Sequence, residues 1–188
     1  TFSKHVVSEV ITVGRAGTLV DWENDGQSRA FVVRYAAEQI LNWRVERVDG
    51  RSVVTMVVLS ETVEAPGGQG DEFEPETTEQ IRVLRLATFA AGGGKGRSEL
   101  RYVVEVWRRS LRTATGRNRN GRKSEWEKVE TRIPLRLGKP LPLIPFVFHG
   151  PRHSRPDVDR GPLEDIIAVN LDHYRLDADF KHGLHFTA

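Results

Sequence analysis

An α+β fold is what this sequence predicts: a twisted antiparallel sheet or small SH3-like barrel, with an N-terminal helix end and a C-terminal amphipathic helix. Three observations carry that expectation. At least six strand-like runs are separated by connections rich in Gly, Pro, Asp and charge. Asp49-Gly50 stands between two of these runs, and both residues accept the positive φ of a two-residue hairpin turn. Apolar residues recur at helical spacing at both ends of the chain.

Composition bounds the problem before any element is placed. With 188 residues, 38% hydrophobic and 29% charged, the chain can bury one core and reads as one domain over 1–188. It carries no run near the roughly 18 apolar residues of a membrane helix, so no membrane partner is expected. The absence of cysteine excludes disulfides and thiolate metal sites.

The elements follow in order. Phe2, Val6, Val7, Val10 and Ile11 keep helical phase up to Gly14, so residues 1–13 read as the end of a helix that begins upstream. Residues 17–149 form a β-rich body. Gly17–Trp22 and Phe31–Tyr35 are strands, and Ala36–Ile40 is a short helical turn. Trp43–Val48 and Ser52–Leu59 flank the Asp49-Gly50 turn, and the near-continuous apolar run of the second implies burial on both faces. Gln80–Thr88, Leu100–Trp107 and Trp126–Leu137 are further strands, the last with Val129, Thr131, Ile133 and Leu135 on one face. The Pro-rich stretch 138–151 fits an edge strand. Residues 162–182 read as a helix: Pro162 suits its first turn, and Glu164 and Asp165 its positive end. Leu163, Ile166, Ile167, Leu171, Tyr174 and Ala178 share a face, and Gly183 sits where a left-handed stop belongs. The start and end of the chain read as cuts in a longer protein.

Charge is segregated along the sequence. Seven acidic and no basic residues lie between Glu61 and Glu79. Seven basic and no acidic residues lie between Arg108 and Lys123: Arg108, Arg109, Arg112, Arg117, Arg119, Arg122 and Lys123. Both stretches read as solvated loops. The basic one has the charge to contact phosphates or a neighbouring subunit, without interleaved aromatics for base stacking, so such contact is sequence-independent.

Catalytic readings fare poorly. His149, His153 and Asp157 are metal-ligand types, yet Gly150 and Pro151 interrupt their spacing, and an ordinary polar loop accounts for them. Gly92–Ser98 lacks the order of a phosphate loop, and Gly14–Gly17 joins helix to strand, the reverse of a dinucleotide fingerprint. Asp157, Asp159, Glu164 and Asp165 have no nucleophile beside them. The expectation is no enzyme, no cofactor and no metal, with a stand-alone nucleic-acid-binding module on the 108–123 hairpin as the alternative.

Several blocks, taken in order, resemble the portal proteins of tailed bacteriophages, in particular a portal-like phage family described only as a domain of unknown function. They are Val13–Asp21 (Val-Gly-Arg-Ala-Gly-Thr-Leu-Val-Asp), Tyr35–Arg44 (Tyr-Ala-Ala-Glu-Gln-Ile-Leu-Asn-Trp-Arg) and Val103–Trp107 (Val-Val-Glu-Val-Trp). Pro142–Gly150 (Pro-Leu-Ile-Pro-Phe-Val-Phe-His-Gly), Pro162–Arg175 and Ala178–Ala188 complete the set. The resemblance implies a wing-like central segment of a longer ring subunit, typically in a twelvefold homo-oligomer at the portal vertex of the virion, assembled in the cytoplasm of a bacterial host. Such a ring passes double-stranded DNA during packaging and ejection, and docks terminase and head–tail connector proteins. It implies no DNA-contacting residue at a particular position of this chain.

Overall fold

The computed structural model describes residues 1–23, 29–64, 77–90, 98–110 and 125–187. Helix α1 (Phe2–Val13) leads into strands β1 (Ala16–Glu23) and β2 (Arg29–Ala36), then a single 3-10 turn (Ala37–Gln39). Strands β3 (Ile40–Val48), β4 (Arg51–Glu64), β5 (Thr77–Ala90), β6 (Ser98–Ser110) and β7 (Glu125–Arg132) follow. Two short strands, β8 (Leu135–Arg136) and β9 (Lys139–Pro140), precede β10 (Phe146–His149) and helix α2 (Glu164–Thr187).

Helix α1 ends because Gly14 adopts φ 86°, which turns its N–H onto the Val10 carbonyl. A side chain there would also meet the Asp159 carbonyl at 2.9 Å, so the residue serves both the helix stop and the loop packed over it. Only Val6 of α1 is buried. Glu9 does the rest of the docking: its carboxylate accepts the Ala37 N–H at 3.3 Å and faces Arg34 at 3.6 Å.

Every strand pairing among the described residues is antiparallel. Strand order is β10-β1-β2 in one sheet, β3-β4-β5-β6-β7 in a second, and β8-β9 in a small hairpin. No closed barrel forms among the described residues, so the SH3-like alternative gives way to open sheets. The β3–β4 hairpin turns on Asp49 (φ 49°) and Gly50 (φ 78°), as its sequence requires.

The core lies between the facing sides of the two larger sheets. Leu19, Tyr35, Phe146 and Phe148 from the first meet Val57, Leu59, Leu84, Tyr102 and Val104 from the second. Phe146 and Phe148 stack edge to face with centroids 4.9 Å apart. Gly17 permits this, since a Cβ at that position would lie 2.3 Å from the Phe146 ring. Each of the fully buried leucines contributes about 2 kcal/mol by leaving water.

Several expectations are corrected. Strand β4 is not buried on both faces: Thr55, Val57 and Leu59 are buried, while Met56, Val58 and Ser60 are half-buried. Period-2 alternation survives because only one side faces the other sheet. The expected strand 126–137 stops at Arg132, and Val129 is the unpaired residue of a bulge opposite Val106 and Trp107. A second two-residue hairpin then forms at Leu137 (φ 51°) and Gly138 (φ 76°). The acidic and basic stretches are strand at their margins, with Glu61 and Glu64 in β4, Glu79 in β5, and Arg108 and Arg109 in β6.

Helix α2 departs furthest from expectation. It runs five residues past 182, through Gly183 to Thr187. The stop is overridden where the His182 and Phe186 rings meet at 4.6 Å across one turn. Nor does the helix supply the core with one apolar face: from Glu164 to Phe186 it is exposed along its whole length.

Candidate functional site

The inner faces of the sheets carry a charge network that sequence reasoning missed. Asp21, Glu61, Gln80, Arg82, Arg108 and Arg132 come from five strands and share the inward parity of the core. Arg82 is its centre, with Nη1 donating to Asp21 Oδ2 at 2.5 Å. Its Nε lies 2.9 Å from Glu61 Oε1 without hydrogen-bond alignment. Glu61 also accepts from the Tyr35 hydroxyl at 2.5 Å and from Gln80 Nε2 at 2.6 Å. Arg132 Nη2 shares Asp21 Oδ2 at 3.0 Å, and Arg108 Nε donates to Gln80 Oε1 at 3.2 Å.

This network ties β1 and β2 to β4, β5, β6 and β7. Burial disfavours the Arg82 cation, but Glu61, Tyr35 and Asp21 outweigh it and hold the guanidinium charged. Burial first, then Glu61, pushes the Tyr35 phenol up, so it stays a donor. The signal was present in the sequence: Glu61 follows Val57 and Leu59 at period 2.

Arg15 is a second cation packed against the core. It is 7% exposed, with Cζ 3.9 Å above the Trp43 ring and 4.8 Å from that of Phe148. Its Nε and Nη2 have no acceptor among the described residues. Desolvation lowers its pKa, and Asp157 acts in the opposite direction. Aromatic faces thus take the place of a carboxylate in contact with the guanidinium.

The structure separates the histidine–carboxylate set. His149 Nε2 meets Thr18 Oγ1 at 2.8 Å, and burial lowers its pKa. His153 faces Asp159 at 3.5 Å. Among the described residues no three of these side chains gather as a metal-holding group. Glu164 and Asp165 pair with Arg160 at 3.1 and 3.2 Å.

Of the seven basic residues, Arg108 and Arg109 are described, and strand alternation sends them to opposite faces of β6. Arg108 joins the interior network. Arg109 points outward, its Cζ 5.4 Å from the Trp126 ring centroid. Arg112, Arg117, Arg119, Arg122 and Lys123 lie outside the described residues, as do residues 65–76 of the acidic stretch.

The outer face of the five-stranded sheet carries an open apolar depression lined by Leu41, Val58, Ile81, Val83, Trp107 and Trp126. Here, unlike in the basic stretch, aromatics do alternate with cations. Trp107 pairs across strands with Lys128, and Arg109 with Trp126. Lys128 and Arg85 both approach Glu105, at 3.4 and 3.9 Å.

Helix α2 is the other exposed apolar surface. At 100° per residue, Ile167, Leu171 and Tyr174 form one stripe. Ile166, Val169, Leu176, Phe180 and Leu184 form another on roughly the opposite side. Acidic and polar residues fill the strips between, and all of these large side chains are exposed. No family model matches this chain. No curated protein matches it either.

Proposed function

We propose that this chain is a structural assembly subunit that joins its neighbours through helix α2. In its finer form the proposal is a portal-like ring subunit of a tailed phage, the protein class that the ordered sequence blocks resemble. The observation that carries it is a 24-residue helix with apolar stripes on two sides and every described residue exposed. Soluble monomers rarely expose apolar surface of that extent, and where they do it marks a surface that meets a partner.

In that role the two sheets are a rigid body and α2 is the connecting element. Terminase and head–tail connector proteins are the partners of the ring at the portal vertex. Double-stranded DNA passes through it with sequence-independent contacts. Electron microscopy of concentrated protein tests the reading: closed rings of uniform symmetry are expected, and a homogeneous population of isologous dimers overturns the ring.

One observation favours a second reading. Trp107, Arg109, Trp126 and Lys128 share the outer sheet face, and aromatics interleaved with cations stack unpaired bases. A nucleic-acid-binding module predicts that a single-stranded oligonucleotide quenches tryptophan fluorescence, with an affinity that falls steeply as salt rises. A ring subunit without that activity predicts no quenching at any salt concentration.

A further inference from the structure

We infer that helix α2 closes as an antiparallel hairpin onto α1 of its own chain, with Ile167, Leu171 and Tyr174 covering Ile11, Val7 and Ser3. The contact does not require the chain to assemble. It uses one α2 stripe and leaves the other, Ile166/Val169/Leu176/Phe180/Leu184, for a neighbouring copy.

Three observations point to this closure. The first is a second uncovered helix face. One side of α1 docks on the body through Val6 and Glu9. On the opposite side Val7 and Ile11 are exposed one turn apart, bordered by Ser3, Lys4, Ser8 and Thr12. Small side chains around two apolar ones let a second helix approach closely. On α2, Ile167, Leu171 and Tyr174 repeat at the matching interval, bordered by Asn170, His173 and Asp177.

The second is attachment, and it names the occupant. The loop packed over Gly14 ends at Gly161, where a Cβ would lie 3.4 Å from the Thr12 carbonyl oxygen. Helix α2 starts three residues later, at Glu164. The last turn of α1 and the first turn of α2 therefore share one end. So short a tether holds the α2 stripe near α1 at an effective concentration on the order of millimolar, an advantage that no second copy or foreign helix has. What directs α2 outward is Arg160, which pairs with Glu164 and Asp165 at 3.1 and 3.2 Å. All three side chains are exposed, and such pairs are individually weak. Rotation about Gly161, which carries no side chain, brings the stripes together.

The third is register. At about 1.5 Å per residue from the shared end, Ile11 and Ile167 lie about 3 and 5 Å along their helices. Val7 and Leu171 lie about 9 and 11 Å along, and Ser3 and Tyr174 both about 15 Å. The bulky tyrosine thus meets the small serine. Lys4 is the one charged residue on its face of α1, and Asp177 stands about one turn beyond it on α2. Asp177 holds Lys181 through Oδ2 at 2.8 Å and takes Lys4 on its other oxygen. A ring closes only if every subunit presents its contact at one fixed angle, and α2 laid along α1 has such an angle.

The chain has no cysteine, which makes the test direct. The full chain carrying Val7→Cys and Leu171→Cys is oxidised over a range of protein concentrations, beside a control carrying Val7→Cys and Val169→Cys. The control has the same tether, but its second position faces away. The expected result is a disulfide within one chain, formed at a rate independent of protein concentration and about tenfold faster than in the control. No preference over the control overturns the closure, and a disulfide that joins two chains overturns it in favour of a second copy. Lys4→Glu is expected to slow the cross-link about threefold, and adding Asp177→Lys to restore it. A rate that Lys4→Glu leaves unchanged contradicts this register. Light scattering on the unsubstituted chain keeps the two readings apart. Assembly without the preferred cross-link sinks the closure alone, and the cross-link in a chain that never assembles supports the closure and sinks assembly.

Discussion

The space between the two sheets and helix α2 solve the same problem in opposite ways. Between the sheets, large apolar side chains are covered within the chain, and the carboxylates caught among them have partners. Asp21 serves two arginines, and Glu61 a tyrosine, a glutamine and an arginine. On α2 a comparable set of large apolar residues stays in water, and its ion pairs are exposed ones one turn apart, such as Lys181–Asp177 and Arg175–Asp172. Such pairs contribute only a few tenths of a kcal/mol each. The difference separates the part of the molecule that holds a shape from the part that seeks a surface.

Substitutions sharpen that contrast. The largest effect is expected at Arg82. Arg82→Leu leaves Asp21 and Glu61 facing the core without their shared cation, and should lower the urea unfolding free energy by about 3–5 kcal/mol. Next comes a matched pair of leucines. Leu59→Ala, in the centre of β4, should cost about 3 kcal/mol. Leu176→Ala, on α2, should shift monomer stability by less than about 0.5 kcal/mol. Equal costs at the two sites would mean that α2 packs against the sheets in solution.

A smaller effect, of opposite sign, is expected at the β8–β9 turn. Leu137 is 96% exposed and holds a left-handed φ that a leucine adopts at a cost of about 1 kcal/mol. Leu137→Asn supplies the residue that such a turn prefers and should raise the unfolding free energy by about 1 kcal/mol. The smallest effect is pH dependence at His149. Its folded pKa lies below the ordinary value of about 6.5 because burial disfavours the charged ring. As pH falls through 6.5 the unfolded chain takes up the proton first, so stability is full above that point and is lost progressively down to the folded pKa. His149→Gln should flatten that slope in unfolding curves recorded from pH 7.5 to 5.

Much of the fold was legible in the sequence, and the failures have physical causes. Gly14 was readable as a stop because only its conformation and the loop above it matter. Asp49-Gly50 was readable because both residues tolerate positive φ. Leu137-Gly138 was hidden because leucine carries no such signal. The extension of α2 past Gly183 was hidden because contacts one turn apart override a weak stop. The interior network was legible only in part: period 2 puts Glu61 on the inner face, but nothing in a linear reading pairs it with Arg82 or brings Asp21 across from another sheet. For the same reason Trp107 and Trp126, separated in sequence by the basic stretch, gave no hint of a common face beside Arg109 and Lys128. Cross-strand register, not spacing along the chain, brings them together.

The most direct test of the account is the solution mass of the wild-type chain and of Phe180→Asp, measured by light scattering across a concentration series with unfolding midpoints in parallel. The account predicts that the wild-type mass rises well above the single-chain 21.3 kDa as concentration increases. It also predicts that Phe180→Asp stays at one chain with an unchanged midpoint. A wild-type chain that remains at 21.3 kDa throughout, or a Phe180→Asp chain that associates as the wild type does, would contradict it.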